Sequence, residues 1–219
     1  MEKAAIFDLD GVLIDSTEAH CAAWQEVCRR RGQDLSREHF LLTMGQTNWP
    51  TMRILFGAAP ADAELAVLEQ EKEELYRQWV REKVVLIDGA AELIRALAAA
   101  GWRRALATSG PGKNVECVMG IFPAADLLEV KINADLVKAA KPAPDLFLRA
   151  AADLGVPPAR SVVVEDSEAG LQAARSAGMK AVGLTTTIGK DRLLAAGATI
   201  AVDSLREVTP DIMAGLLEG

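Results

Sequence analysis

The feature that most constrains this 219-residue chain is a set of short apolar runs, each ending on a polar residue. Ala4-Ala5-Ile6-Phe7 runs into Asp8, Ala105-Leu106-Ala107 into Thr108, Val162-Val163-Val164 into Glu165, and Ala181-Val182-Gly183-Leu184 into Thr185. Runs this short, with no polar alternation inside them, fit strands buried on both faces. Helical patterns lie between them. Asp88 is the expected N-cap of a helix passing through Leu93, Ile94 and Leu97 to Gly101; others run from Asp145 to Leu154 with Gly155 behind, and from Ser167 to Ala177 with Gly178 behind. Strand alternating with helix predicts an α/β fold, a Rossmann-like, doubly wound parallel sheet with both faces covered. Ligands of such sheets bind beyond the carboxyl ends of the strands, where Asp8, Thr108, Glu165 and Asp166 fall.

Residues 15–82 break the alternation with three successive helix-like segments and no strand, so the expected division is a core of residues 1–14 and 83–219 with an inserted α-helical domain at 15–82. One inserted helix runs from near Glu18 to Arg31, stops at Gly32, and carries Cys21, Trp24 and Cys28 on one face. Another runs from Asp62 to about Lys83. Its apolar stripe of Leu65, Leu68, Leu75, Tyr76 and Trp79 contains Lys72, whose stem either passes along the core to water or delivers charge to an anionic group.

Half of the residues are hydrophobic, enough for a full core. The net charge of −7 is mixed along the chain, with no basic stripe of the kind a phosphodiester backbone requires, so no nucleic-acid partner is expected. Cys21, Cys28 and Cys117 have no metal-binding spacing and read as small packing residues. Neither a signal-peptide pattern nor a membrane-length apolar span is visible, and a cytoplasmic monomer that does not engage membranes is expected.

Asp8-Leu9-Asp10-Gly11 by itself could be a turn. At the end of a buried strand, however, two carboxylates spaced by two residues project to the same side and either repel or hold a cation, and Mg²⁺ suits such oxygen ligands. Thr108-Ser109, Lys141-Pro142 and Glu165-Asp166 are expected at other strand ends. Together they supply what phosphoryl transfer needs: a nucleophile, a metal, hydroxyl donors and a fixed cation. Asp8 would attack phosphorus, Asp10 would act as general acid and then base, Thr108 and Ser109 would donate to phosphate oxygens, and Lys141 would neutralise charge. Asp8, Asp10, Glu165 and Asp166 are the candidate metal ligands.

These four segments, Phe7 to Val12, Thr108, Lys141-Pro142 and Glu165-Asp166, resemble in order the four motifs of the haloacid dehalogenase superfamily. Asp10 is similar to the second acid of its phosphotransferases, which its dehalogenases lack. The inserted helices resemble the cap of the β-phosphoglucomutase and phosphoglycolate phosphatase group. Asp15 to His20, with Trp24, is similar to the hinge and first cap helix of β-phosphoglucomutases, so the resemblance implies that His20 contacts the acid/base or substrate. A partly buried polar residue is the alternative. Lys72, four residues before Tyr76, matches a substrate-binding cap lysine of that group.

The cap loop Thr43-Met44-Gly45-Gln46-Thr47-Asn48 departs from the mutases, which carry a lysine where this chain has Met44 and an arginine where it has Asn48. A mutase must grip a bisphosphate, and asparagine offers hydrogen bonds but no charge. The resemblance therefore implies a Mg²⁺-dependent phosphatase acting on a small phosphomonoester such as a sugar phosphate, with Gln46, Thr47 and Asn48 as candidate substrate readers. A sugar phosphomutase is the alternative, and a catalytically silent binding module is a third reading that the intact motifs oppose.

Overall fold

The computed structural model describes residues 2–43, 48–56 and 62–218. The chain forms two compact units, one of Met1–Asp15 with Val85–Gly219 and one of Ser16–Val84. Among the described residues, the strands all belong to the first: β1 (Ala4–Phe7), β2 (Ile14–Asp15), β3 (Val85–Leu86), β4 (Arg103–Ala107), β5 (Val130–Ile132), β6 (Ser161–Glu165), β7 (Lys180–Leu184) and β8 (Ile200–Val202). Six of them make a parallel sheet in the order β5-β4-β1-β6-β7-β8. The chain winds outward from β1 to one edge, returns, and winds to the other from β6, the doubly wound order whose switch lies beside β1. Two-residue strands β2 and β3 pair antiparallel where the chain leaves and rejoins this unit.

The second unit is helical: α1 (Thr17–Arg30), α2 (Arg37–Leu41), α3 (Asn48–Phe56) and α4 (Asp62–Lys83). Four helices are described where the sequence suggested three, because the five-residue α2 is too short to show a period of its own. Ser36 starts it, its hydroxyl accepting from the His39 amide at 3.1 Å. Cys21, Trp24, Val27 and Cys28 of α1 pack against Leu65 and Leu68 of α4, with Phe40 and Met52 completing the cluster. Burial pushes the Cys21 and Cys28 thiols upward in pKa, consistent with packing rather than reactivity.

Around the sheet lie α5 (Ala90–Ala99), α6 (Gly112–Met119), α7 (Asp145–Leu154), α8 (Glu168–Ser176), α9 (Lys190–Ala196) and α10 (Pro210–Leu216). Alternate strand residues Ala4, Ile6, Ala105, Ala107 and Val163 share one buried cluster with Leu146, Phe147 and Ala150 of α7 and Leu171 of α8. This is the period-two face of a sheet meeting the apolar stripes of helices. Ser167 caps α8 by accepting from the Gly170 amide at 3.1 Å, and Gly155 ends α7 in the left-handed conformation.

Three local expectations are corrected. The N-cap of α5 is Gly89, not Asp88: Gly89 has φ +84, and a Cβ there would lie 2.9 Å from the Arg206 amide nitrogen. Asp88 instead makes a two-pronged ion pair with the Arg206 guanidinium at 2.6 and 2.7 Å. Lys141 is not at a strand end, since β5 stops at Ile132 and Lys141 sits in the loop leading to α7. Finally, the chain is not extended from Asp8 to Asp10. It turns over Leu9, whose carbonyl lies 2.9 Å from the Leu13 amide and 3.2 Å from that of Ile14.

Candidate active site

Asp8 follows β1 directly, its amide donating to the Val164 carbonyl at 3.0 Å, so the sheet ladder carries its backbone to the carboxyl edge beside β6. Glu165 closes β6 there and is fully buried. The Lys141 ammonium lies 2.7 Å from Asp8 Oδ1 and 2.5 Å from Glu165 Oε1. Glu165 Oε2 accepts from the Asp166 and Ser167 amides and the Ser167 hydroxyl at 2.9, 2.8 and 2.9 Å. Both oxygens of Glu165 are thus engaged, Oε1 by Lys141 and Oε2 by the Asp166 and Ser167 donors.

Asp8, Glu165 and Asp166 each offer an oxygen within 4.8 Å of the others, all three residues being buried. Three carboxylates against one ammonium leave a surplus of two negative charges, the charge of one divalent cation. The cost of that surplus shows in the titration. Burial raises Asp8 to about 7, the neighbouring Glu165 and Asp10 add to the rise, and Lys141 opposes it. Burial and the Glu165 and Asp8 charges push Asp166 well above the ordinary carboxylate range, with Thr187 opposing. Glu165 goes the other way: burial would raise it, but Lys141 and the Ser167 donors hold it below its usual value. Burial would lower Lys141, and the two carboxylates overcome that and raise it. A hard cation with oxygen ligands fits this cluster.

Two glycines make the close approach possible. A Cβ on Gly11, at φ +76, would stand 1.9 Å from Asp166 Oδ2, and one on Gly170 would stand 1.9 Å from the Glu165 carboxylate. Gly170 was not anticipated from the sequence, although a glycine inside a helical pattern is the signal that could have found it.

Thr108 is buried after β4 and accepts from the Gly110 amide at 3.1 Å through Oγ1. The neighbouring Ser109 Oγ is buried with no hydrogen-bond partner. That hydroxyl is therefore free to donate to a ligand oxygen. Asp10 is half-buried in the turn after Asp8, outside the close carboxylate group, and near enough for its charge to raise Asp8.

In the helical unit, Lys72 does not pass its ammonium to water. It is 2% exposed, donates to His20 Nδ1 at 2.8 Å and to Glu73 Oε1 at 2.8 Å, and lies over the rings of Trp24 and Tyr76. His20 stacks on Tyr76 with centroids 4.3 Å apart. An ammonium has no lone pair, so Nδ1 must accept, and a neutral His20 carries its proton on Nε2. Gln46 and Thr47 lie outside the described residues; Asn48 opens α3, but its side chain lies outside them too.

The family model of haloacid dehalogenase-like hydrolases matches residues 2–178. The chain belongs to that family. It is 40% identical over 190 residues to the protein CbbY of Rhodobacter capsulatus, covering 82% of this chain and 84% of that one. It is 33% identical to the fructose-1-phosphate phosphatase YqaB of Escherichia coli, with 81% and 93% covered. With the β-phosphoglucomutase of Bacillus subtilis it shares 30% identity, with 94% of each covered. Among solved structures, a family IA haloacid dehalogenase hydrolase from Entamoeba histolytica superposes with a TM-score of 0.92 at 31% identity, covering both chains fully. This hydrolase thus has relatives named for both phosphatase and mutase activity. Among its described residues, no helix is long and apolar enough to cross a membrane.

Proposed function

We infer that this hydrolase is a Mg²⁺-dependent phosphatase that cleaves a small phosphomonoester, such as a sugar phosphate, through an aspartyl-phosphate on Asp8. The observation that carries the reading is the buried Asp8 carboxylate paired with Lys141 inside a cluster two negative charges in surplus. Asp8, Asp10 and Asp166 would hold the metal; Glu165, expected among the ligands, has both oxygens engaged and would instead anchor Lys141. Bound there, Mg²⁺ supplies positive charge that keeps Asp8 ionised near neutral pH and offsets the phosphoryl oxygens.

An Asp8 oxygen attacks phosphorus as the bond to the leaving oxygen breaks, and Asp10 gives that oxygen its proton, releasing the alcohol. Asp10, now a carboxylate, takes a proton from water as the water oxygen attacks the aspartyl-phosphate. Phosphate leaves, and Asp8 is restored. Lys141, Thr108 and the unpaired Ser109 hydroxyl meet the phosphoryl charge. The helical unit would act as a substrate-selecting cap, with His20, Lys72, Gln46, Thr47 and Asn48 as its readers. Three free cysteines suit the reducing cytoplasm.

The neutral residues Met44 and Asn48, at positions where mutases carry cations, favour hydrolysis over phosphate return to the same sugar. The deciding experiment measures phosphate release from a panel of sugar phosphates, phosphoglycolate and nucleotides with and without Mg²⁺. It includes β-glucose 1-phosphate, assayed for glucose 6-phosphate with and without a bisphosphate activator. Metal-dependent phosphate release supports the phosphatase; conversion to glucose 6-phosphate without net release would make it a mutase.

A further inference from the structure

Three consecutive threonines follow β7, and each hydroxyl donates to a different part of the core unit. Thr185 Oγ1 donates to Asp203 Oδ1 at 2.8 Å, Thr186 Oγ1 to the Gly11 carbonyl at 2.6 Å, and Thr187 Oγ1 to Asp166 Oδ2. The first tie anchors the loop beside β8, where the Thr185 amide also donates to the Val202 carbonyl at 3.1 Å. The second reaches the turn that follows Asp8. The third reaches the carboxylate that follows β6.

Asp166 needs such a tie. Rotation about the last bond of an aspartate is soft and broad, so a buried carboxylate with one open side has no intrinsic orientation. Its Oδ2 lies 1.9 Å from where a Cβ of residue 11 would be, which excludes a side chain there, and the Thr187 hydroxyl donates to that oxygen. Thr186 holds the Gly11 backbone, and Thr187 holds the oxygen lying on it, so the two acidic loops are joined through one strap.

We propose that Thr187 is a positioning residue for the metal site: it holds Oδ2 of Asp166 and thereby fixes the carboxylate in the orientation that receives the cation, with Thr186 locking the strap to Gly11. This rests on the reading of Asp166 as a metal ligand. Residues that orient a ligand in this way typically change metal affinity by about 10–100-fold when replaced.

The test is direct titration of the substrate-free protein with Mn²⁺, the free ion followed by its paramagnetic resonance signal and displaced with Mg²⁺. Wild type, Thr187→Val, Thr187→Ser and Asp166→Asn are compared. Thr187→Val keeps the shape without the hydroxyl and is expected to bind about tenfold more weakly or worse; Thr187→Ser restores the donor and should remain within about threefold of wild type. If Thr187→Val binds as wild type does while Asp166→Asn loses the ion, the strap has no such role and the metal site stands. If wild type and Asp166→Asn bind alike, the metal reading itself falls and the inference with it. A measurement on the unaltered chain guards against a misfolded variant: the Thr187 methyl resonance should shift with Mg²⁺ along the binding curve, and one that stays put overturns the proposal.

Discussion

Among the described residues, each unit holds a buried lysine among acids and rings, and these two lysines are settled differently. Lys141 stands between Asp8 and Glu165 with Asp166 alongside, so negative charge exceeds positive. Lys72 has the Glu73 carboxylate and His20 Nδ1 as acceptors, with two aromatic faces around it. A cluster with surplus charge is unstable until a cation or a proton arrives, whereas the Lys72 ammonium already has acceptors within its own unit. Buried lysine by itself is therefore no mark of chemistry; the residual charge around it is.

The largest effect that would break this contrast is loss of the proposed nucleophile. Asp8→Asn should lower kcat by at least about a thousandfold, and phosphate release near the wild-type rate would remove Asp8 from its role. Next is Lys141→Met, which leaves three buried carboxylates without their ammonium. We expect about 3–5 kcal/mol of lost stability in the metal-free protein, read by urea unfolding, with part of it restored by Mg²⁺; an equal loss in both conditions would mean that the cluster does not hold a cation.

A third effect is pH-dependent and belongs to the surplus site alone. Asp8 titrates near 7 in the folded protein against an ordinary value of 3.8, so between those limits the folded state holds a proton that the unfolded state has released. Stability of the metal-free form must then fall as pH rises through that window, and Asp166, also raised, acts in the same direction. Glu165 is depressed and works oppositely, but its contribution is lost only in more acidic solution, as pH falls through its folded value. Between pH 5.5 and 8 in chelator, the drop should be about 2 kcal/mol, and saturating Mg²⁺ should flatten it. A thermal midpoint that rises with pH in chelator would refute the assignment.

The smallest effect concerns Lys72 and its acceptors. Lys72→Ala should raise KM by about three- to tenfold, or up to about 1.4 kcal/mol, with kcat nearly unchanged. The same shift should appear at every Mg²⁺ concentration. An unchanged KM would confine Lys72 to holding His20 and Glu73.

Much of the fold could be read ahead of the structure because it is written in local runs. Four buried strands, the helices ending at Gly155 and Gly178 and the long α4 each declare themselves within a window of a few turns. Strands β5 and β8 did not, being three-residue strands at the sheet edges, too short to carry a period. Asp88 looked like a cap because aspartate before a helical pattern usually is one; its partner Arg206 is 118 residues away. The paired acids of Asp8 and Asp10 were read as one side of an extended segment, whereas the chain turns over Leu9.

The sequence by itself determined the family, the parallel α/β architecture and the identity of the acids at the strand ends, since these depend on residue type and short-range order. Tertiary structure alone decided that Lys141 meets Asp8 and Glu165, that Gly11 and Gly170 clear space for carboxylates, that Thr187 reaches Asp166, and that Lys72 is paired with Glu73 and His20. The reason is physical: burial, residual charge and steric vacancy are properties of neighbours in space, and most of these neighbours are distant along the chain.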